Sequence, residues 1–269
     1  MMHDKNAIFG GSIPENYDRY LGPSFFEPFA NDLVARLDPK CHRSVLEIAC
    51  GTGIVTRRLR DRLPAEARLV ATDLNPAMLA LAQEKFEPSE NVTWGKADAG
   101  ALAFAAGSFD AVICQFGVMF FPDKEAAMRE THRVLSPSGV FLFNVWDSFE
   151  QNPVALTAHE TIASFFDREP PSFYQTPFGF HDADLIQRLL RQAGFADIEI
   201  SIVSLPCQSR SAADFAIGLI RGNPVAGAIE ERGRSVDRVA KAVEKKIGEQ
   251  FGVAPVETTM QALVCRALR

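Results

Sequence analysis

The chain has 269 residues, 47% of them hydrophobic and 23% charged, which is enough for one generous α/β domain or a core domain with a small cap. Its net charge of -6 argues against a nucleic-acid partner, because phosphate binding needs clustered Lys and Arg. No apolar run approaches the ~20 residues of a membrane helix, and the start MMHDKNAIFGGSIPEN lacks the basic head and apolar middle of a secretory signal, so the expected location is the cytoplasm.

In chain order, PENYDRYLGP comes first and carries Tyr17 and Tyr20. From Ser44 the pattern alternates. Runs rich in Val, Ile and Phe predict strands at SVLEIAC, ARLVATDL, NVTWGKAD, FDAVICQF and GVFLFNVWD, and helical spacing predicts helices at TGIVTRRLRDRL, NPAMLALAQEKF and DKEAAMRETHRVL. Strands alternating with helices imply a doubly wound, mostly parallel α/β sheet. Asn75 before Pro76 reads as a cap with proline at the first helical position, and SPSG stops the helix ending at Leu135.

After Trp146 the order changes. An insert from Ser148 to Phe180 is rich in Phe and Pro, and DADLIQRLLRQAGF reads as a helix capped by Asp182 and stopped by Gly194. The strand-like ADIEISIVSLPC and TTMQALVCRAL would add a pair to one sheet edge, completing seven strands with an antiparallel C-terminal one. Between them two helical stretches are expected. Without repeats or a low-complexity linker, we expect a single domain over 1–269, with an N-terminal lid near 10–30 and cap segments near 148–180 and 208–255. The five cysteines, Cys41, Cys50, Cys114, Cys207 and Cys265, form no C-x-x-C pair, which fits reduced side chains better than a disulfide framework or a metal site.

Three predicted strand ends carry chemistry. Gly51 and Gly53 follow the first strand and open a helix, so a ligand can approach backbone N–H groups there. Thr56 stands where the dinucleotide fingerprint has its third small residue. Asp73 closes the second strand, 20 residues past Gly53 (73 minus 53), where doubly wound folds place the carboxylate that accepts ribose hydroxyls. With Asn75 as the helix cap, the ribose role is the better reading for Asp73. Asp98, ending the third strand, either accepts from an adenine amine beside the Ala99 N–H or caps its own turn. Together these ends describe a pocket for an adenosine-containing ligand. Glu47, just ahead of the loop, does not suit a phosphate ligand.

VLEIACGTG, the Asp73 strand with NPAML, the block KADAGALAFAAGSFDAVICQFGVMFFPD and MRETHRVLSPSGVFLF resemble the successive motifs of class I S-adenosylmethionine-dependent methyltransferases. The similarity is to the small-molecule branch that includes the ubiquinone/menaquinone-biosynthesis type, and it spans roughly residues 17 to 195. It implies S-adenosyl-L-methionine as cofactor and S-adenosyl-L-homocysteine as product. It further implies that Glu47 helps hold the methionine amine, that Ala49, Gly51 and Gly53 line the loop, and that Asp73 takes the ribose. Leu74 and Met78 would pack on adenine, Asp98 and Ala99 would read its edge, and Gln115 and Phe116 would face the methyl-donor end. Tyr17 and Tyr20 resemble lid tyrosines of this branch, or are helix-packing aromatics.

No general base stands out. His181 and His159 lie in or beside the insert that should roof the acceptor, and Tyr17 is a third candidate. His132 reads as structural, His42 and His3 as solvated. Asn144 and Trp146 would line the acceptor side or simply pack at a strand end. The Asn/Asp-Pro-Pro-aromatic motif of amino methylation is missing after the fourth strand, and Pro206–Cys207 follows the sixth strand rather than the fourth, unlike a cytosine C5 nucleophile. Phe165, Phe166, Phe173, Tyr174, Phe178 and Phe180 point to a small apolar or aromatic acceptor, or to packing of the insert. The reading is methyl transfer to an O, N or C atom. The alternatives are a nicotinamide-dependent oxidoreductase and a non-catalytic S-adenosylmethionine-binding protein.

Overall fold

The computed structural model describes residues 9–269; His3 lies outside the described residues. Helix α1 (Ile13–Asn16) runs into a π-helix (Tyr17–Phe26) and then α2 (Glu27–Ala35). Next come β1 (Ser44–Ile48), α3 (Ile54–Arg62), β2 (Arg68–Asp73), α4 (Pro76–Gln83), β3 (Val92–Lys96), β4 (Phe109–Gln115), α5 (Lys124–Val134) and β5 (Leu135–Trp146). The remainder is α6 (Pro153–Ala163), α7 (Ala183–Gln192), β6 (Ala196–Ser209), α8 (Ala212–Arg221), α9 (Val225–Glu231), α10 (Val236–Phe251) and β7 (Val256–Leu268).

The seven strands form one sheet in the order β3-β2-β1-β4-β5-β7-β6. β1 pairs parallel with both β2 and β4, as in Val45↔Leu69 and Val45↔Ala111. β7 lies antiparallel to β5, from Val140↔Leu268 to Trp146↔Ala262. The chain winds outward from β1 in one direction and then from β4 in the other, so the carboxyl ends of β1 and β4 flank the crevice where such sheets bind ligands.

The chain divides into two compact units. The second comprises Phe29–Trp146, Phe180–Val203 and Ala262–Arg269. Its strands read as near-continuous apolar runs because parallel strands are covered on both faces. Val45, Ala111, Ile113, Val140 and Leu142 pack with Leu33, Val34, Leu37, Val55, Leu59 and Leu63 from α2 and α3 and their ends. Each such side chain contributes roughly 1.5–3 kcal/mol on burial, so this layer fixes where the strand ends stand. Asp182 caps α7 by accepting from the Leu185 N–H, and Gly194 ends it at φ +103°.

The first unit comprises the residues up to Pro28, Asp147–Gly179 and Ser204–Gln261. Its segments are tied by buried polar groups. Asn152, fully buried, donates through Nδ2 to the carbonyls of Asp147, Ser148 and Gln261 and accepts from the Gln261 N–H. The Tyr174 hydroxyl donates to the Leu219 carbonyl at 2.6 Å.

Four local expectations change. The π-helix was not foreseen: Pro23 lacks an N–H, and its ring would strike the carbonyl four residues back in an α-helix, a clash that the wider turn relieves. Tyr17 stacks on Phe26, nine positions on, with centroids 4.4 Å apart; nine residues make about two turns of a π-helix but about two and a half of an α-helix. The region 208–255 holds three helices rather than two, because Asn223 and Pro224 break the first stretch. SPSG lies within β5 as an irregular register step between Phe109↔Leu135 and Ala111↔Val140, and α5 ends at Val134. His42 is half-buried, its Nδ1 2.7 Å from the Asp38 carbonyl, rather than solvated.

Candidate functional site

The loop after β1 turns sharply because Ala49, Gly51 and Gly53 all take left-handed backbone, at φ +53°, +56° and +82°. The two glycines answer different needs. A Cβ on Gly53 would lie 3.1 Å from the Ala82 Cβ, so its missing side chain lets α3 start against α4. A Cβ on Gly51 would meet nothing within 4 Å, so there is free space beside it, but the Gly51 N–H donates to Asp73 and the Gly53 N–H to the Cys50 carbonyl, so these two loop N–H groups are used within the protein.

Two buried carboxylates support this loop. Glu47 is 1% exposed; Thr56 Oγ1 donates to its Oε2 at 2.6 Å, and Thr72 Oγ1 donates to its backbone carbonyl at 2.9 Å. Asp73 is 6% exposed and accepts from the Gly51 N–H and the Asn75 N–H, each at 2.8 Å. Asn75 itself makes no side-chain cap bond to α4. The capping expected of the Asn75 side chain is therefore absent, and Asp73 braces the turn into α4 as well as the glycine loop.

Burial pushes the Glu47 carboxyl up to about 8, with the Thr56 hydrogen bond opposing and the Asp73 charge adding. Asp73 is also raised by burial, against the hydrogen bonds it accepts from Asn75, Gly51 and Leu74. The charge acting on Glu47 is thus another acid, Asp73. A consequence is testable without ligand. The folded chain keeps the Glu47 proton up to about 8, whereas the unfolded chain releases it near 4.5. The native state then binds more protons in that window, and stability falls as pH rises from about 4.5 to about 8. Thermal melts across this range should show a decline in wild type, on the order of a few kcal/mol, that Glu47→Gln flattens; parallel profiles would contradict it.

Met78 is buried and Leu74 half-buried, at and just before the start of α4. Asp98 is exposed; its Oδ1 accepts from the Gly100 N–H at 2.8 Å and its carbonyl from the Ala101 N–H. It therefore caps its own turn, with its second oxygen outside that bond. Ala99 lies within the same turn.

At the end of β4, Phe116 is left-handed at φ +50°. Its N–H donates to both the carbonyl and the side-chain Oδ1 of Asn144, at 3.1 and 3.0 Å. The Phe116 ring stacks on Trp146 with centroids 3.7 Å apart and meets Phe29 edge-on at 5.5 Å. Gln115 Oε1 is 3.5 Å from Asn144 Nδ2. Gly117 then passes so close to the β1 loop that a Cβ on it would stand 2.5 Å from the Ala49 Cβ and 2.8 Å from Cys114 Sγ.

Glu47, Ala49, Gly51, Gly53, Asp73, Leu74, Met78, Asp98, Ala99, Gln115 and Phe116 all belong to the second unit, at or beyond the carboxyl ends of β1 to β4. Tyr17 and Tyr20 belong to the first. There Tyr17 stacks on Phe26, and Arg19 lies over the Tyr20 ring. His159, also in the first unit, stacks on Phe149 at 4.9 Å with its Nδ1 buried and unpartnered, and burial holds its pKa below the usual imidazole range. His181 is exposed just before the α7 cap. His132 packs edge-on against Phe195 and beside Gly194. Phe173, Tyr174, Phe178 and Phe180 are buried, so packing accounts for most of the aromatic insert. All five cysteines are free, four of them buried, and burial pushes the Cys114 thiol up to about 12.

Sequence reasoning missed Gly117, the Thr56–Glu47 bond and the grip of Asn144 on Phe116. Thr56 was visible as the departure from the small third residue of the glycine fingerprint; Gly117 had no signal beyond following the end of β4, and Asn144 was visible only as a polar residue near the end of β5, not as a partner of Phe116.

Comparison with known proteins agrees with this geometry. Residues 45–139, from β1 into β5, match the methyltransferase domain family. The matched stretch is similar to the class I S-adenosylmethionine-dependent methyltransferases. Among the curated relatives it matches are ubiquinone/menaquinone-biosynthesis and demethylmenaquinone methyltransferases. A demethylmenaquinone methyltransferase of Thermus thermophilus is 43% identical over 37% of this chain and 46% of its own length. One from Staphylococcus epidermidis is 27% identical over 70% of this chain and 83% of its own. The chain spans about half the length of the first curated relatives it matches. A phosphoethanolamine N-methyltransferase of Haemonchus contortus, solved with S-adenosylhomocysteine, superposes with a TM-score of 0.60 at 18% identity, covering 95% of this chain and 56% of that one. At that identity it shows the shared fold. Neither the nicotinamide nor the non-catalytic alternative is favoured by these matches.

Proposed function

We propose that this protein binds S-adenosylmethionine at the carboxyl ends of β1 to β4 and transfers its methyl group to an O, N or C atom of a small apolar or aromatic molecule. The observation that carries the reading is the pair of buried carboxylates, Glu47 and Asp73, under a loop with free space beside Gly51. A phosphate ligand would meet repulsion there; a ligand bearing a sulfonium and an ammonium would meet attraction, and binding it would draw the Glu47 proton off. When bound, S-adenosylmethionine supplies a methyl group on a cationic sulfur that is open to in-line displacement. The chain's part is to hold and align: Asp73 takes the ribose diol, Leu74 and Met78 the adenine faces, and Asp98 with Ala99 its edge. Gln115 and Phe116 face the donor end, where exclusion of water and alignment supply rate without a dedicated base.

The acceptor class is inferred from relatives named demethylmenaquinone methyltransferases and from the aromatic group Phe29, Phe116 and Trp146 at the strand ends. We assign acceptor choice to the segments outside the matched 45–139 stretch, in particular the insert that follows β5. Calorimetric titration with S-adenosylmethionine and S-adenosylhomocysteine tests the cofactor. Methyl transfer from labelled S-adenosylmethionine to a reduced demethylmenaquinone analogue tests the acceptor class: incorporation is expected, and binding without incorporation into any aromatic acceptor would remove it.

A further inference from the structure

Left-handed backbone is strained for a bulky residue, and a phenylalanine keeps it only when its surroundings over-determine it. Phe116 is held in this way. Asn144, 0% exposed, presents both its carbonyl and its side-chain Oδ1 to the single Phe116 N–H. The side-chain bond is additional to the ladder bond that β4 and β5 make in any parallel pair, so it is an extra hold placed at the strained residue. The conformation it fixes lays the Phe116 ring flat on Trp146, 3.7 Å between centroids and 12° between planes, with Phe29 closing the edge of both rings at 5.5 and 5.1 Å. Gly117, the next residue, touches Ala49 in the cofactor loop, so the strained turn abuts the cofactor site.

We propose that Asn144 is a positioning residue: its side chain pins the left-handed turn at Phe116 and thereby sets the Phe116–Trp146 aromatic pair as the wall that meets the sulfonium end of the cofactor. This rests on the methyltransferase reading and adds to it which residue sets the wall. An aromatic face attracts a cationic sulfur more strongly than the neutral thioether left after transfer. The wall therefore adds to the discrimination between S-adenosylmethionine and S-adenosylhomocysteine, which carry the same adenosine, ammonium and carboxylate groups. A residue that merely stabilised β5 would affect both ligands alike.

The test is calorimetric titration of both ligands into wild type, Asn144→Ala and Phe116→Leu. Asn144→Ala is expected to weaken S-adenosylmethionine on the order of tenfold and S-adenosylhomocysteine less than about twofold. Phe116→Leu removes the aromatic face while Asn144 stays in place; it should show the same selective loss, and it decides the matter if Asn144→Ala does not fold. In a Phe116→Gly background, where glycine takes φ near +50° unaided, adding Asn144→Ala should change the ligand ratio no further. Equal losses for both ligands, or no change in either, would overturn the proposal while leaving the cofactor reading intact. Failure of wild type to bind either ligand would instead remove the methyltransferase reading.

Discussion

Replacing Asp73 by alanine should weaken S-adenosylhomocysteine binding at least about 100-fold, because the carboxylate braces the loop and, on the proposed reading, would hold the ribose as well. The Gly51 and Asn75 N–H groups each donate to it at 2.8 Å, and charged hydrogen bonds of this kind contribute about 1.5–3 kcal/mol apiece. Alanine leaves both donors without their acceptor and removes the ribose anchor as well. Asp73→Asn keeps one acceptor oxygen and offers an N–H where the second oxygen stood, so one of the two donors is lost and an intermediate loss is expected. Calorimetry paired with thermal melts separates the contributions: loop bracing appears as a lower melting temperature without ligand, the ribose anchor only in the titration. Wild-type affinity in Asp73→Ala would contradict both roles.

The second large effect is expected at Gly117. A Cβ there would stand 2.5 Å from the Ala49 Cβ and 2.8 Å from the sulfur of Cys114, itself fully buried. Neither neighbour is the far end of a flexible chain, so relief requires backbone movement, and overpacking of this kind costs about 1–3 kcal/mol or more. Ala49 is part of the cofactor loop, so Gly117→Ala should lower both the melting temperature and the affinity for S-adenosylhomocysteine. Ala49→Gly in the same chain should recover much of both, since it removes the struck Cβ and suits the left-handed φ of +53° at that position. If Gly117→Ala behaves as wild type, or if Ala49→Gly gives no rescue, the proposed contact between the two strand ends is wrong.

These two sites also mark what could be read from the sequence. The alternation of strands and helices was legible because strands such as β1, β4 and β5 are buried on both faces and therefore read as largely apolar runs, as in AVIC and in VLEI, where only Glu47 interrupts. Gly51, Gly53 and Asp73 were legible because a strand-to-helix turn and the end of the next strand have fixed spacing in doubly wound folds. The contacts of Gly117 with Ala49 and of Asn144 with Phe116 join residues 68 and 28 positions apart (117 minus 49, 144 minus 116), and depend on how far each strand extends past its neighbour. Composition and periodicity carry no information about that. Thr56 looked like a weak match to a glycine fingerprint; in the structure it is the donor to the buried Glu47. The π-helix had no signal in apolar spacing; Pro23 in the middle of YDRYLGPSFF says only that a regular α-helix is disfavoured there.

The central claim is that the pocket beyond β1 to β4 holds S-adenosylmethionine, and calorimetric titration of wild-type protein with S-adenosylhomocysteine and S-adenosylmethionine tests it most directly. Saturable one-to-one binding of both is expected, with proton release at neutral pH as Glu47 gives up its proton beside the incoming ammonium. No saturable heat with either ligand, together with an unchanged melting temperature, would contradict it.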